Sequence, residues 1–406
     1  MNNKKTRCVY RFSSKKKKIF FILVVIILFA VLIAVPVLAE GKNDSELTES
    51  VEDLLGKLDM EELNEYLDSL TEEQKDFFGD GEIEDKILEI INGDFKMDYT
   101  SFFSAIGSII FDRLDDLLPV FCVICSISIL CGILTQFQSS FAERGTGKLI
   151  SFVGYSSVLI LILTSLTAVI EDCTSTVNSL QKQMQVIFPI LLTLIATSGG
   201  SVSVAVYRPA VLFLSELIVQ IIVSVVFPLA ILMCVFNMAG NMSPEIKLKN
   251  FCSFFAGLIK WVLGVSLTIF TVFLTVQGIT SATYDGLSFK AAKYAIGNTV
   301  PIIGGFLSGG LDVVVAGSVL IKNALGSCGI LLMFSVTLIP FIQLVVLNLF
   351  LKLTAAVTEP LGEGTITGFL SSLSGTVNYF MAGLLAVGFM YFITILLLVC
   401  SSNSLF

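Results

Sequence analysis

The sequence predicts an all-α, polytopic α-helical membrane protein with six to eight transmembrane or re-entrant helices. Three observations predict it. Hydrophobic residues make up 55% of the 406 positions and charged residues only 14%, which no ordinary soluble domain shows. Several apolar windows exceed the ~20 residues that a helix needs to cross a hydrocarbon core of ~30 Å. Charge is also segregated. Residues 1–39 hold eight Lys/Arg and no acid, residues 40–116 hold 24 acids against six bases, and residues 117–406 hold nine acids against eleven bases. The acidity belongs to one segment, and no basic surface is left to neutralise the phosphates of a nucleic acid.

Taken in order, Arg11 and Lys15 to Lys18 precede an apolar run from Ile19 to Val35, then Pro36-Val37-Leu38-Ala39. Small residues at Val37 and Ala39 predict a secretory signal, residues 1–39, cleaved after Ala39; because the run is long, an uncleaved anchor is the alternative. Either way residue 40 lies outside the cytoplasm, since the lysine cluster stays inside.

Residues 40–117 read as an acidic extracytoplasmic helical segment. Leu47, Val51, Leu54, Leu55 and Leu58 recur at helical spacing, as do Leu63, Leu67 and Leu70. Thr71 and Gln74 form a capping-box pattern, and Ile83, Ile87, Leu88 and Ile91 give a short helix ended by Gly93. The stripes are narrow and the core marginal, which predicts a solvated helical hairpin or a partly ordered linker, or else a docking surface for an extracytoplasmic partner that helps it fold. Phe102 to Leu118 is expected to lie along the outer interface.

The polytopic domain follows at 118–406. Spans are expected at 118–135, 149–170, 186–206, 209–237, 252–279, 294–321, 327–353 and 375–400. Arg144 and Lys148 place the first connection in the cytoplasm. The third run is interrupted by Thr197-Ser198-Gly199-Gly200-Ser201 and reads as a span or a re-entrant hairpin, which leaves the side of the C-terminus open. Pro189, Pro209, Pro228, Pro301 and Pro340 are expected to kink helices braced by their neighbours.

The least lipid-like stretch is Asp285 to Gly326, with eight glycines, Pro301, two acids and three lysines. Broken Gly/Pro-rich segments at membrane depth are where transporters place their sites. This makes Gly304, Gly305, Gly309, Gly310 and Asp312, within the broken segment 294–321, candidates for a pathway or for close helix packing, with Asp312 alternatively capping a helix after the glycines. Glu216, in VLFLSELIVQII, is a carboxylate costing ~2.5 kcal/mol or more at mid-membrane and is expected to face the protein interior. Lys290, Lys293 and Lys322 are expected to snorkel to the headgroups.

Enzyme readings find no support. The chain has no histidine, which removes the commonest metal ligand and the usual general base. Gly145-Thr146-Gly147-Lys148 lacks the first glycine and the Ser/Thr of a phosphate loop. Cys122-x-x-Cys125 has no second pair and sits in an apolar helix, so small packing residues are the reading. No catalytic residue, metal or cofactor is expected.

The stretch FKAAKYAIGNTVPIIGGFLSGGLDVVVAGSVLIKNALG, together with LKLTAAVTEPLGE at 351–363, resembles stage III sporulation protein AE of endospore-forming bacteria. The resemblance covers the chain in length and order. It implies a non-enzymatic subunit, integral to the mother-cell membrane around the forespore, in a channel or feeding complex. The implied partners are the other stage III sporulation A-operon membrane proteins and a forespore membrane protein across the intermembrane space. A scaffold that only assembles the complex, or a stand-alone secondary transporter, are the alternatives.

Overall fold

The computed structural model describes residues 45–71, 74–75, 82–93, 99–141, 144–242, 248–299, 304–361 and 364–400. The signal region with Ala39, and Pro301, lie outside the described residues.

Three short helices come first: α1 (Ser45–Leu55), α2 (Glu61–Asp68) and α3 (Ile83–Asn92). Six long helical runs follow: α4 (Tyr99–Phe141), α5 (Arg144–Thr197), α6 (Ser201–Ile221) continued by α7 (Phe227–Met242), α8 (Lys249–Thr299), α9 (Gly304–Thr358) and α10 (Gly364–Cys400). Among the described residues, six helices are long and apolar enough to cross a membrane.

Two of the expected breaks are resolved into ends. The glycine pair after Thr197 is the tip of a hairpin: Gly199 takes φ 95°, the left-handed region open to glycine, and α6 starts at Ser201. Residues 149–170 and the run beginning at 186 are therefore one helix, not two spans. Likewise 304–321 and 327–353 are one helix, α9. The expectation for Phe102–Leu118 is also corrected. That stretch continues through Pro119 into α4, and it packs Ile106, Ile109 and Ile110 against Ile339, Ile342 and Val346 of α9. Pro228 follows a π-turn at Ile222–Val226 that joins α6 to α7, which accommodates a residue unable to donate a backbone hydrogen bond.

The helices alternate in direction, and side-chain pairs fix their levels. At one end Phe121 meets Phe350, the Tyr155 hydroxyl donates to Met238 O (2.6 Å), and Tyr155 meets Phe369 edge-on. We call this the basic end, because Arg144 and Lys148 open α5 there and Lys249 opens α8. At the other end Thr197 donates to Ser318 (3.1 Å), and Gly326 lies against Val399. The C-terminal end of α10 therefore lies at the end opposite the basic loops. The antiparallel central pair α9 and α10 carries the largest buried fraction among the candidate spans.

The second end is capped by α1, α2 and α3. Their apolar stripes, Val51, Leu55, Leu63, Leu67, Ile83, Ile87 and Ile90, are buried in one cluster with residues of α5, α9 and α10. Asn64 ties α2 to α3 by donating to Glu84 (3.3 Å) and accepting from the Ile83 N–H (3.4 Å). α3 ends at Gly93 with φ 74°, as the sequence predicts. The narrow stripes that looked too small for a core share the core of the long helices instead.

Candidate functional site

The glycine-rich candidates open α9. Gly304, Gly305, Gly309, Gly310 and Asp312 have helical backbone, while their side-chain surroundings lie outside the described residues. Asp312 stands well inside a helix that starts at Gly304, so it is not the N-cap that the sequence allowed. Beyond it, α9 uses glycine for close approach. A Cβ on Gly317 would stand 3.2 Å from Leu54 of the cap. On Gly329 it would stand 2.9 Å from Ile395 and 3.3 Å from Ile187, and on Gly326 it would collide with Val399. Three neighbouring elements thus press onto one helix because it presents small residues to each.

Glu216 is placed differently from the expectation that it faces the protein interior. It lies on the exposed face of α6, where Gln181 and Gln185 of α5 both donate to its carboxylate, the latter at 3.1 Å. It is mid-helix in sequence, yet 26 residues separate it from the basic end of its run at Met242, roughly 39 Å at 1.5 Å per residue and more than a ~30 Å hydrocarbon core. The polar α5 residues around it share that level. A carboxylate there is bound by two amides.

Lys322 also departs from the reading that it snorkels. Its side chain is fully buried in α9, close to Cys400 at the end of α10. Two residues that sequence reasoning missed lie lower on the same pair of helices. Asn348 donates to Ser374 O (2.6 Å) and to Asn378 (3.2 Å), and Asn378 donates to Ser374 O (3.1 Å). Thr358 and Thr367 share a hydrogen bond of 2.9 Å at the basic end, and Asn237 of α7 donates to Thr376 (3.1 Å). This seam is amide and hydroxyl glue between the central helices. Its signal in the sequence was available: asparagines at 237, 348 and 378 interrupt otherwise apolar runs.

At mid-height a second polar junction joins three helices. The Gln343 amide of α9 donates to Asp172 of α5 (3.1 Å) and accepts from Arg113 of α4 (3.2 Å) once its O and N are oriented to satisfy both. The buried Tyr66 hydroxyl of the cap and, in the long helices, Gln183 Oε1, Asn323 Oδ1, Thr337 Oγ1 and the Tyr391 hydroxyl have no hydrogen-bond partner among the described residues. Burial pushes the Tyr66 phenol far above its usual range.

Cys122 is exposed and Cys125 is buried, and neither is in a disulfide. Among the described residues no group of three potential metal ligands comes together.

Known proteins point the same way as the glycine-rich stretch. The family model for stage III sporulation protein AE matches residues 82–402, which is most of the chain and includes every long helix. This chain belongs to the stage III sporulation protein AE family. A relative described as stage III sporulation protein AE, from Bacillus subtilis (strain 168), is 28% identical over 351 residues, 86% of each chain. No solved structure matches the chain. The match bears out the resemblance read from 289–326 and 351–363, and with the six apolar helices it makes the chain a multi-pass sporulation membrane protein of that family.

Proposed function

We propose that this chain is the core polytopic subunit of a channel or feeding complex in the mother-cell membrane around the forespore, with no enzymatic activity of its own. The single observation that carries the reading is the length of the bundle. α5 has 54 residues and α9 has 55, each roughly 80 Å long against a hydrocarbon core of ~30 Å. The basic end belongs in the cytoplasm by its Lys/Arg loops. The capped end then rises tens of ångströms into the intermembrane space, where the complex would meet its forespore partner. Partners on the mother-cell side would be the other stage III sporulation A-operon membrane proteins.

In this reading the glycine-rich start of α9 lies at the outer end, beside the cap, and lines or gates the passage. The test is spore formation and forespore reporter activity with Gly305→Leu, Asp312→Ala and Glu216→Ala. Each is expected to lower reporter activity at normal protein level. Normal spores from all three would remove these residues from the pathway.

A scaffold that assembles partners and conducts nothing is the second reading, and one observation favours it: Gly317, Gly326 and Gly329 each serve close packing. In that case every loss of function tracks loss of the assembled complex, as read by co-purification.

A further inference from the structure

At the basic end, α9 and α10 enclose an open cleft of about 590 Å³, lined by Lys352, Ala356, Glu359, Thr367, Gly368 and Ser371. Asn241 of α7 packs against Gly368 of the lining, where an added Cβ would stand 2.9 Å from its Oδ1. Lys352 and Glu359 place opposite charges in one cavity about 10 Å apart along the chain axis. Among the described residues neither takes part in an ion pair. Ser371 lines the same space, one turn from Thr367, whose hydroxyl is shared with Thr358. Running down to the cleft is a ridge of exposed apolar side chains on α9, Val345, Leu349, Leu353 and Val357, spaced four residues apart.

We propose that this cleft seats the headgroup of a zwitterionic phospholipid. The lipid phosphate accepts from the Lys352 ammonium and the Ser371 hydroxyl, its amine donates to the Glu359 carboxylate, and an acyl chain lies along the Val345–Leu353 ridge. Charge complementarity selects this occupant. A purely anionic headgroup would set its charge against Glu359, and a free phosphate would leave both Glu359 and the apolar ridge without a partner. The cleft lies at the end of the apolar α9 ridge, the depth at which the glycerol and phosphate of a leaflet sit. The proposal uses the placement of the basic end at the cytoplasmic leaflet, but not the channel reading, so loss of one leaves the other standing.

The test is native mass spectrometry of the purified full chain after exposure in detergent to equimolar phosphatidylethanolamine and phosphatidylglycerol. Phosphatidylethanolamine is expected to be retained in preference. Lys352→Ala should lower its retention about tenfold, while Lys352→Arg should keep it. Glu359→Gln should erase the preference between the two lipids without abolishing binding. All of these side chains are exposed, and matching melting curves would show that the variants fold. Equal retention of both lipids by the unaltered chain, or retention unaffected by Lys352→Ala, would overturn the proposal. So would displacement of the bound lipid by inorganic phosphate alone, which would make the cleft a free-anion site.

Discussion

Near the basic end, the exposed face of α5 carries Phe152, Val153 and Ile160; from mid-height toward the capped end its exposed residues include Glu171, Asp172, Ser175, Asn178, Lys182 and Gln185. α10 shows no such switch in composition. Its upper half, from Phe380 to Leu398, is as apolar as a lipid-facing span and is nonetheless mostly buried, against α5, α9 and the α6–α7 run. Apolar surface is thus left exposed on one helix and covered by protein on another. The difference explains why 40–116 is acidic. Its helices must be apolar on the face that covers α9 and strongly hydrated on the face that meets water.

The sharpest way to break this comparison is to map where lipid ends. With Cys122 replaced by Ser, a cysteine placed at Asn178 or Gln185 should react almost completely with a membrane-impermeant maleimide applied from the outer side. One at Val153 or Ile160 should stay unmodified, as read by peptide mass spectrometry. Equal protection at all four positions would mean that the polar face of α5 is itself inside the membrane or covered by another chain.

Next in size are substitutions that distinguish burial by protein from burial by lipid. Ile87→Ala removes a fully buried side chain from the cap and should cost about 2–5 kcal/mol locally, releasing α1–α3 to protease. Ile269→Ala, on the exposed face of α8, should leave the melting temperature nearly unchanged. Gly326→Val forces a branched side chain into Val399 and should cost about 1–3 kcal/mol. The same change at Gly264, which has nothing within 4 Å, should be tolerated. If Gly264→Val destabilised as much as Gly326→Val, the glycines of α9 would have no special packing role.

Much of this organisation is legible in the chain, and the errors have one cause. Apolar periodicity and length gave the helices, Gly93 its cap and Gly199 a break. Counting spans from hydropathy then assumed that each apolar run is one membrane thickness. That assumption split α5 at Glu171 and α9 between residues 321 and 327. A carboxylate and a lysine mean different things once the helix outgrows the bilayer: Glu216 is held by amides on an exposed face, while Lys322 is enclosed by helices that the hydropathy of its own segment could not reveal. Asn348 and Asn378 are legible only in retrospect, because an isolated asparagine in an apolar run does not say which helix it will meet.

The smallest predicted effect concerns Tyr66, where the cap meets α10. Its hydroxyl is buried without a hydrogen-bond partner among the described residues, and the phenol of Tyr391 lies near enough for the two to interact if charged. Burial disfavours the phenolate, so the folded-state pKa stands above that of the unfolded chain, about 10. A group raised in this way contributes its stability below the unfolded pKa and loses it as the pH rises further. Resistance of α1–α3 to protease should therefore fall as the pH passes roughly 10. Tyr66→Phe should flatten that fall. At neutral pH the same change should alter stability by no more than about 1 kcal/mol, toward stabilisation, because it deletes an unsatisfied hydroxyl and keeps the ring. An equally steep alkaline loss in Tyr66→Phe would move the sensitivity elsewhere in the cap. A fall at neutral pH would show that the hydroxyl makes a hydrogen bond worth keeping.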